Sequence, residues 1–590
     1  MAQDPTDDKE YSAILPLIGR DVVRSEFNGG KMFLPFQSFQ SLFARDKIEA
    51  ELPGASKELI DFVSGRATKT FATVLLALVA HPKYFITSAM ESFKINSFDD
   101  SFLPIDRRQL ASCPHECGGH KSALNVFHNS PLKQCISLFS TYQWIFLAPR
   151  FPLAKDLRVL DRDCILPFTE YGGIIRGGTF SEIRRAKIRV DHQAVIPQAS
   201  GPSEVYVAVK KFKSKEKISL PESEIPDPRH AWSCEADSME EFATSNFANT
   251  HITRVIGSFS TNGEYYIIMP WAMGGTLREF WEHTNPCPEL CGTLIADFLE
   301  QYMNLAESLC DLHCQSNSQE GLENTSFPVP QGHPQAQNSI PNREGPDIDI
   351  DRDGSNWRHG NLKPDNILRK QDGDRLGPLM IGDVGLAKKH KDRTLTRLST
   401  NTRLGTMDYE PPEAFDNSRP KSRAYDIWSM GCIIIETIVW LLYGNEGQKR
   451  FYNEPYNPTT GTRYYTTQET FPERKLNDNV LKWVGHMLNE DPECNRENPS
   501  SALRDLLNLA GNELLVVNPP KDYDNPGKDE RINAETFRAR LRDIIRRSKD
   551  DAYLFTGVNR ERVPIPDFTD PSQTQEVGLA SLNQRIAAKF

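Results

Sequence analysis

At 590 residues and 66.9 kDa the chain exceeds one ordinary domain, which takes roughly 150 residues. Hydrophobic residues at 38%, charged residues at 25%, and 36 Gly with 40 Pro place it in the globular range and exclude a collagen-like or wholly disordered chain. Lys plus Arg at 69 against Asp plus Glu at 80 leaves a net charge of −11, which argues against broad phosphate-backbone binding, and no nucleic-acid motif is present.

The 11 Cys are scattered and odd in number, so they do not read as a disulfide framework, and a reducing compartment is expected. The amino-terminal MAQDPTDDKE is acidic and has neither a basic n-region nor an apolar h-region, so no signal or transit peptide is predicted. The longest apolar runs, FATVLLALVA at 71–80 and CIIIETIVWLLY at 432–443, fall short of the about 18 to 20 residues of a bilayer span. These features predict a soluble intracellular protein, cytoplasmic or nuclear, with no membrane partner.

In chain order, KELIDFVSG, FATVLLALVAHPKYF and QCISLFSTYQWIFLAPRF predict a mostly helical amino-terminal region over 1–164. Within it, Cys113, His115, Cys117 and His120 lie close together but lack the separated pairs of a structural zinc site, so zinc is not favoured. Over 165–273 the texture turns strand-like, in IIRGGTFSEIRRAKIRV, EVYVAVKKF, HITRVIGSF and EYYIIMPWA, which predicts a small antiparallel sheet. Over 274–550 it turns helical, in TLREFWEHT, LIADFLEQYMNLAESLCDLH, YDIWSMGCIIIETIVWLLYG and NDNVLKWVGHMLNE. Strands followed by helices imply two segregated layers or lobes.

Residues 315–356 hold almost no large apolar side chains and predict a disordered insertion. A second loop-rich stretch at 444–474 carries several Tyr expected to pack on the helical part, and 551–590 form a tail. Cys287, Cys291, Cys310 and Cys314 read as buried small hydrophobes.

The chemistry is carried by an ordered series: VAVKK at 207–211, HGNLKPDNIL at 359–368, GDVG at 382–385, GTMDYEPPE at 405–413 and YDIWSMG at 425–431. In this order, on strands followed by helices, it resembles the protein-kinase signature set over roughly 165–550. YQWIFLAPRF, RHGNLKPDNIL, DVGLAKKH and YEPPE look like a group of divergent protein kinases common in filamentous fungi. The resemblance implies an α+β, bilobal protein-kinase fold, with a small β-rich N-lobe and a larger helical C-lobe behind the mostly helical amino-terminal region. Thr406 and the LKPDN turn resemble serine/threonine rather than tyrosine kinases.

By that resemblance, Gly177 and Gly178 lie in the turn that covers the phosphates of ATP, and Lys210 neutralises its α- and β-phosphates. Lys210 needs a carboxylate to hold it; counting back from ITRVIGSF gives Glu240, with Glu241 as competitor. Met269 begins the hinge, and Ala272 is the adenine-facing donor because Pro270 has no N–H. Asn366 and Asp383 are the magnesium ligands, and Lys363 stabilises the transferring phosphoryl.

The family's His-Arg-Asp stands here as His359, Gly360 and Asn361. A neutral amide accepts a hydrogen bond but cannot take the substrate's proton. Gly360 removes the Arg that in many relatives clasps a phosphorylated activation loop, although the loop at 386–404 is basic and rich in Ser and Thr. Asp426 is implied to accept backbone N–H bonds from the catalytic loop, and Glu413 to pair with Arg531 rather than Arg496. The expected function is phosphoryl transfer from ATP, with Mg²⁺, to a protein hydroxyl, weakened at Asn361. The alternative is a pseudokinase, a nucleotide-binding interaction module for a protein partner.

Overall fold

The computed structural model describes residues 12–105, 125–127, 135–313 apart from 179, 198–202, 220–224, 226 and 245–250, then 356–383 apart from 372, 388–390, 407–415, 422–453, 463–465, 475–495, 500–558 and 564–568. CPHECGGH, nearly all of the expected insertion, most of the loop at 386–404, Cys314 and Arg496 lie outside the described residues. The chain parts into two compact units, Met1–Ala236 with Arg254–Trp271, and Asp237–Thr253 with Ala272–Phe590.

The first unit opens with α1 (Leu15–Asp21), a short ribbon of β1 (Val23–Ser25) and β2 (Lys31–Phe33), α2 (Phe36–Leu42), α3 (Arg45–Glu51), α4 (Lys57–Gly65), α5 (Thr68–Ala77), α6 (Lys83–Ile95) and α7 (Ile136–Phe146). Local chemistry sets these ends. Ser56 caps α4 by accepting the Leu59 N–H at 3.2 Å, and Leu59, Ile60 and Val63 share its buried face. The run FATVLLALVA breaks after Ala77, and Pro82 precedes the next helix. The Asp100 carboxylate caps α5 by accepting the N–H groups of Lys69 at 2.9 Å and Thr70 at 2.8 Å. Burial raises its pKa, against these bonds.

The ribbon was not predicted, and it ties the helices to the sheet. Its turn, Asn28-Gly29-Gly30, needs left-handed backbone, φ +64° and +84° at the two glycines. Glu26 N–H donates to Phe168 O at 2.8 Å, and Asn28 bonds the carbonyl of Cys164 and the N–H of Leu166. Phe27 enters the aromatic core of the sheet, 4.8 Å from the ring of Tyr171 and 5.5 Å from that of Tyr266. A second tie is a buried imidazole: His192 Nε2 accepts the Phe36 N–H at 3.0 Å, and its Nδ1 lies 2.8 Å from Pro149 O. Helices and sheet therefore share one unit.

The sheet itself is β3 (Phe168–Gly177), β4 (Ser181–Arg189), β5 (Glu204–Phe212), β6 (Gly257–Thr261) and β7 (Glu264–Pro270), in the order β3-β4-β5-β7-β6 and antiparallel throughout. The strand expected in HITRVIGSF begins only at Gly257, because His251 and Thr253 bond to residues 379 and 381 of the second unit instead. Helix α8 (Pro228–Thr244) runs from the first unit into the second.

The second unit contains α9 (Gly292–His313), β8 (Asn356–Arg358), β9 (Ile367–Arg369), β10 (Leu379–Ile381), β11 (Lys388–His390), α10 (Ala424–Asn453), α11 (Asp478–Glu490), α12 (Ala502–Leu509), α13 (Ala534–Arg547) and α14 (Asp551–Leu554). Asn356, expected at the end of the insertion, opens β8, which pairs with β11.

Two expectations change at α10. The loop foreseen from 444 is helix again as far as Asn453; only Gly444 breaks it, at φ +68°, where a Cβ would lie 2.9 Å from Pro286 O. Tyr464 and Tyr465 beyond it are fully buried, as foreseen. In length and hydropathy α10 also reaches what a membrane span requires, contrary to the reading of its apolar run, but its whole apolar window is buried inside the unit. It also carries Asp426 and Glu436, both fully buried and hydrogen-bonded. Among the paired cysteines, Cys310 is buried as foreseen whereas Cys287 is exposed.

Candidate active site

In the first unit, Lys210 sits on β5, paired between β4 and β7, where alternation turns every second side chain inward. It is 9% exposed, and its Nζ lies 2.8 Å from Glu235 Oε1. The partner is thus Glu235 and not the predicted Glu240. Trp232, Glu235, Ala236 and Met239 form the buried stripe of α8, and Trp232 Nε1 pins that stripe to β7 through Tyr266 O at 3.0 Å. Counting back from a strand of uncertain start misplaced the carboxylate by five residues. The stripe itself, read at i, i+3, i+4 and i+7, was the available signal.

The glycine turn is a tight hairpin. Gly177 pairs with Glu182, Gly178 N–H donates to Ser181 O at 2.8 Å, and Lys213 Nζ donates to Gly178 O at 2.6 Å. Both glycines are exposed, as is Ile175 at 60%. Met269 lies in β7 opposite Ala208, with its side chain buried. Ala272 is the first residue after the unit boundary, and its carbonyl accepts the Gly275 N–H at 3.1 Å.

The second unit assembles the loop around residue 361. Asp426, 0% exposed near the start of α10, accepts the N–H groups of His359 and Gly360, each at 2.8 Å. A third bond comes from His313 Nε2 at 3.0 Å. The Tyr523 hydroxyl oxygen accepts the Ala534 N–H at 3.0 Å and lies 2.6 Å from His313 Nδ1. Through Nε2, His313 braces Asp426. Burial pulls the His313 pKa down against the pull of Asp426. For Asp426 burial pushes upward, but His313 and the Gly360 amide outweigh it and hold the carboxyl below its usual value.

His359 does the local bracing. Its Nε2 lies 2.9 Å from Gly382 O, and its Nδ1 accepts the Asn361 N–H at 3.2 Å. Asn366, 7% exposed, donates its amide N–H to Asn361 O at 2.8 Å, and its own carbonyl accepts the Gly382 N–H at 2.8 Å. Asn361, Asn366 and the residue before Asp383 are thus tied by direct bonds. Asp383 is half-buried and held at φ +54°, a backbone state that Asp tolerates better than most residues. With the amide nitrogen of Asn366 engaged, its side-chain oxygen and the Asp383 carboxylate are hard oxygen donors. Lys363 is half-buried at the start of the 3₁₀ turn Pro364–Asn366.

Two scaffold pairs brace the second unit. Arg531 grips Glu413 through both oxygens, Nη1–Oε1 at 2.6 Å and Nη2–Oε2 at 3.0 Å, with side chains 0% and 2% exposed. Arg278 bonds Asp365 at 3.2 Å and the Tyr452 hydroxyl at 3.0 Å, and also reaches Tyr409. The Tyr409 hydroxyl in turn donates to Glu436 at 2.8 Å. Nothing in the sequence singled out Arg278, and Glu436 stood out only as the charge within the apolar run CIIIETIVWLLY, because their meeting depends on four separate segments.

Residues 355–505 match the protein kinase domain family. The chain is 42% identical over 85 residues to a probable cyclin-dependent kinase 8 of Dictyostelium discoideum, covering 14% of this chain and 22% of that protein. It is 39% identical over 85 residues to cyclin-dependent kinase E-1 of Arabidopsis thaliana, covering 14% and 18%. It is 30% identical over 161 residues to a probable serine/threonine-protein kinase mps1 of D. discoideum, covering 26% and 15%. The matches thus span about a fifth of the length of these relatives.

Proposed function

We propose that this chain, which carries a protein kinase domain over 355–505, is an ATP- and Mg²⁺-dependent serine/threonine protein kinase whose phosphoryl transfer is slowed by Asn361. The observation that carries this reading is the Lys210–Glu235 pair at 2.8 Å, a buried ammonium that a carboxylate holds in one orientation. Such a group is suited to the α- and β-phosphates of a nucleotide. Asn366 and Asp383 would hold magnesium, which when bound neutralises phosphate charge. Lys363 stabilises the transferring group. Asn361 orients the substrate hydroxyl through its amide oxygen, and the hydroxyl's proton must leave by another route. Losing general-base assistance costs about 10²- to 10⁴-fold in rate, equivalent to roughly 3 to 5.5 kcal/mol of barrier. The substrate is a protein, and the compartment is the cytoplasm or nucleus.

A second reading, a nucleotide-binding pseudokinase that serves a protein partner, draws on Asn361 and on the Gly178 amide already engaged by Ser181 O. An assay with radiolabelled ATP on the native chain, Asn361→Asp and Lys210→Met separates them. The kinase reading expects slow native transfer, a gain of about 10²-fold or more in Asn361→Asp, and loss in Lys210→Met. No transfer by either the native chain or Asn361→Asp, with ATP still bound, leaves the pseudokinase. Undiminished transfer by Lys210→Met overturns the site.

A further inference from the structure

Glycine at position 360 leaves a space, and the structure shows what uses it. Gly360 has φ +72°, and a Cβ there would lie 3.1 Å from Nε and 3.5 Å from Nη2 of Arg358, the last residue of β8. Arg358 is 6% exposed, and its guanidinium carbon stands 5.2 Å from the centre of the Tyr425 ring. The Tyr425 hydroxyl hydrogen-bonds Glu410, which is 8% exposed. Asp426, Tyr425, Glu410 and Glu413 all act electrostatically on Arg358. Glu410 and Glu413 belong to the buried stretch 409–414, and Glu413 is already gripped by Arg531.

We propose that Arg358 is a positioning residue that ties the catalytic loop to 409–414 through Tyr425 and Glu410, in the space Gly360 leaves. The chain's own carboxylates thus fix this end of the segment, and no added phosphate is needed to do so. A buried guanidinium needs counter-charge, and a buried carboxylate needs a cation. Asp426, Glu410 and Glu413 all act on Arg358, and Glu413 is shared with Arg531. Glycine at 360 is favoured by its left-handed backbone, and a Cβ there would crowd the Arg358 guanidinium. The inference goes beyond the reading above and does not depend on phosphoryl transfer.

Hydrogen exchange on the full chain, followed in peptides over 356–366 and 407–415, tests it. Arg358→Met is expected to speed exchange in both peptides by about tenfold or more while leaving α4 and α5 unchanged. Arg358→Lys should restore most of that protection by keeping the charge. Glu410→Gln, nearly isosteric, should loosen the same two peptides. Phosphatase treatment should leave the native protein's exchange unaltered. Protection at 407–415 that survives Arg358→Met and Glu410→Gln within about twofold overturns the proposal, as does native protein that phosphatase loosens about tenfold. If Arg358→Met does not fold, Glu410→Gln and the phosphatase comparison decide between the same outcomes.

Discussion

Replacing Glu235 by Gln keeps the volume of the side chain and removes the charge that holds Lys210. The two side chains are 6% and 11% exposed, so water cannot replace the lost counter-charge. Removing one member of a buried, hydrogen-bonded charge pair costs about 2 to 5 kcal/mol. At about 2 to 4 °C per kcal/mol for a unit of this size, the melting temperature of the variant should lie roughly 4 to 20 °C below the native one. Nucleotide affinity should fall as well, because the ammonium is no longer aimed. A charge-assisted hydrogen bond contributes about 1.5 to 3 kcal/mol, and 1.4 kcal/mol is tenfold in a dissociation constant, so ATP binding should weaken by about 10- to 100-fold. Fluorescence titration with a labelled ATP analogue, alongside thermal melts, reads both effects. Glu240→Gln is the control and should change each far less. Equal or larger losses in Glu240→Gln, with Glu235→Gln near native, would refute the pairing.

Other perturbations probe the same physics elsewhere. Arg531→Met strands the Glu413 carboxylate in a site that is 2% exposed and should destabilise the second unit by about 3 to 5 kcal/mol in urea titration; a loss below 1 kcal/mol would mean the pair is not intact. Phe27→Ala removes the ring that the ribbon places against Tyr171 and Tyr266 and should cost about 3 kcal/mol, with loss of protection in β3 and β7. Three imidazoles, His192, His313 and His486, have pKa values pulled down by burial. Above their ordinary value near 6.5 neither state binds the proton; below it the unfolded chain binds more. Stability should therefore fall as pH drops from about 6.5, by up to about 1.4 kcal/mol per pH unit for each of the well-buried His192 and His313, and by less for the partly exposed His486. His192→Gln should reduce that slope, and an unchanged slope would refute the neutral, doubly bonded state of His192.

The one-dimensional order of residues determined what is local or repeats at short range. The period-2 run EVYVAVKKF gave β5 and the place of Lys210 on it. Apolar runs at helical spacing gave α4, α9, α10 and α11. The string HGNLKPDNIL fixed its own turn, because its bonds, His359 to Asn361 and Asn366 to Asn361, close within seven residues. The Glu413–Arg531 pair was legible only through resemblance, across 118 positions.

What the fold alone decided are meetings between distant segments. Glu235 rather than Glu240 faces Lys210 because the rotation of α8 is set by Trp232 bonding β7, a tertiary contact that no count along the chain contains. The ribbon holding Phe27 forms because its aromatic ring finds a core built 140 residues later, in β3 and beyond, so its own short strands carry little periodic signal. Arg358 against Tyr425, and His313 beside Asp426, are likewise products of burial: once water is excluded, each charge must find a partner in three dimensions, and sequence separation ceases to matter.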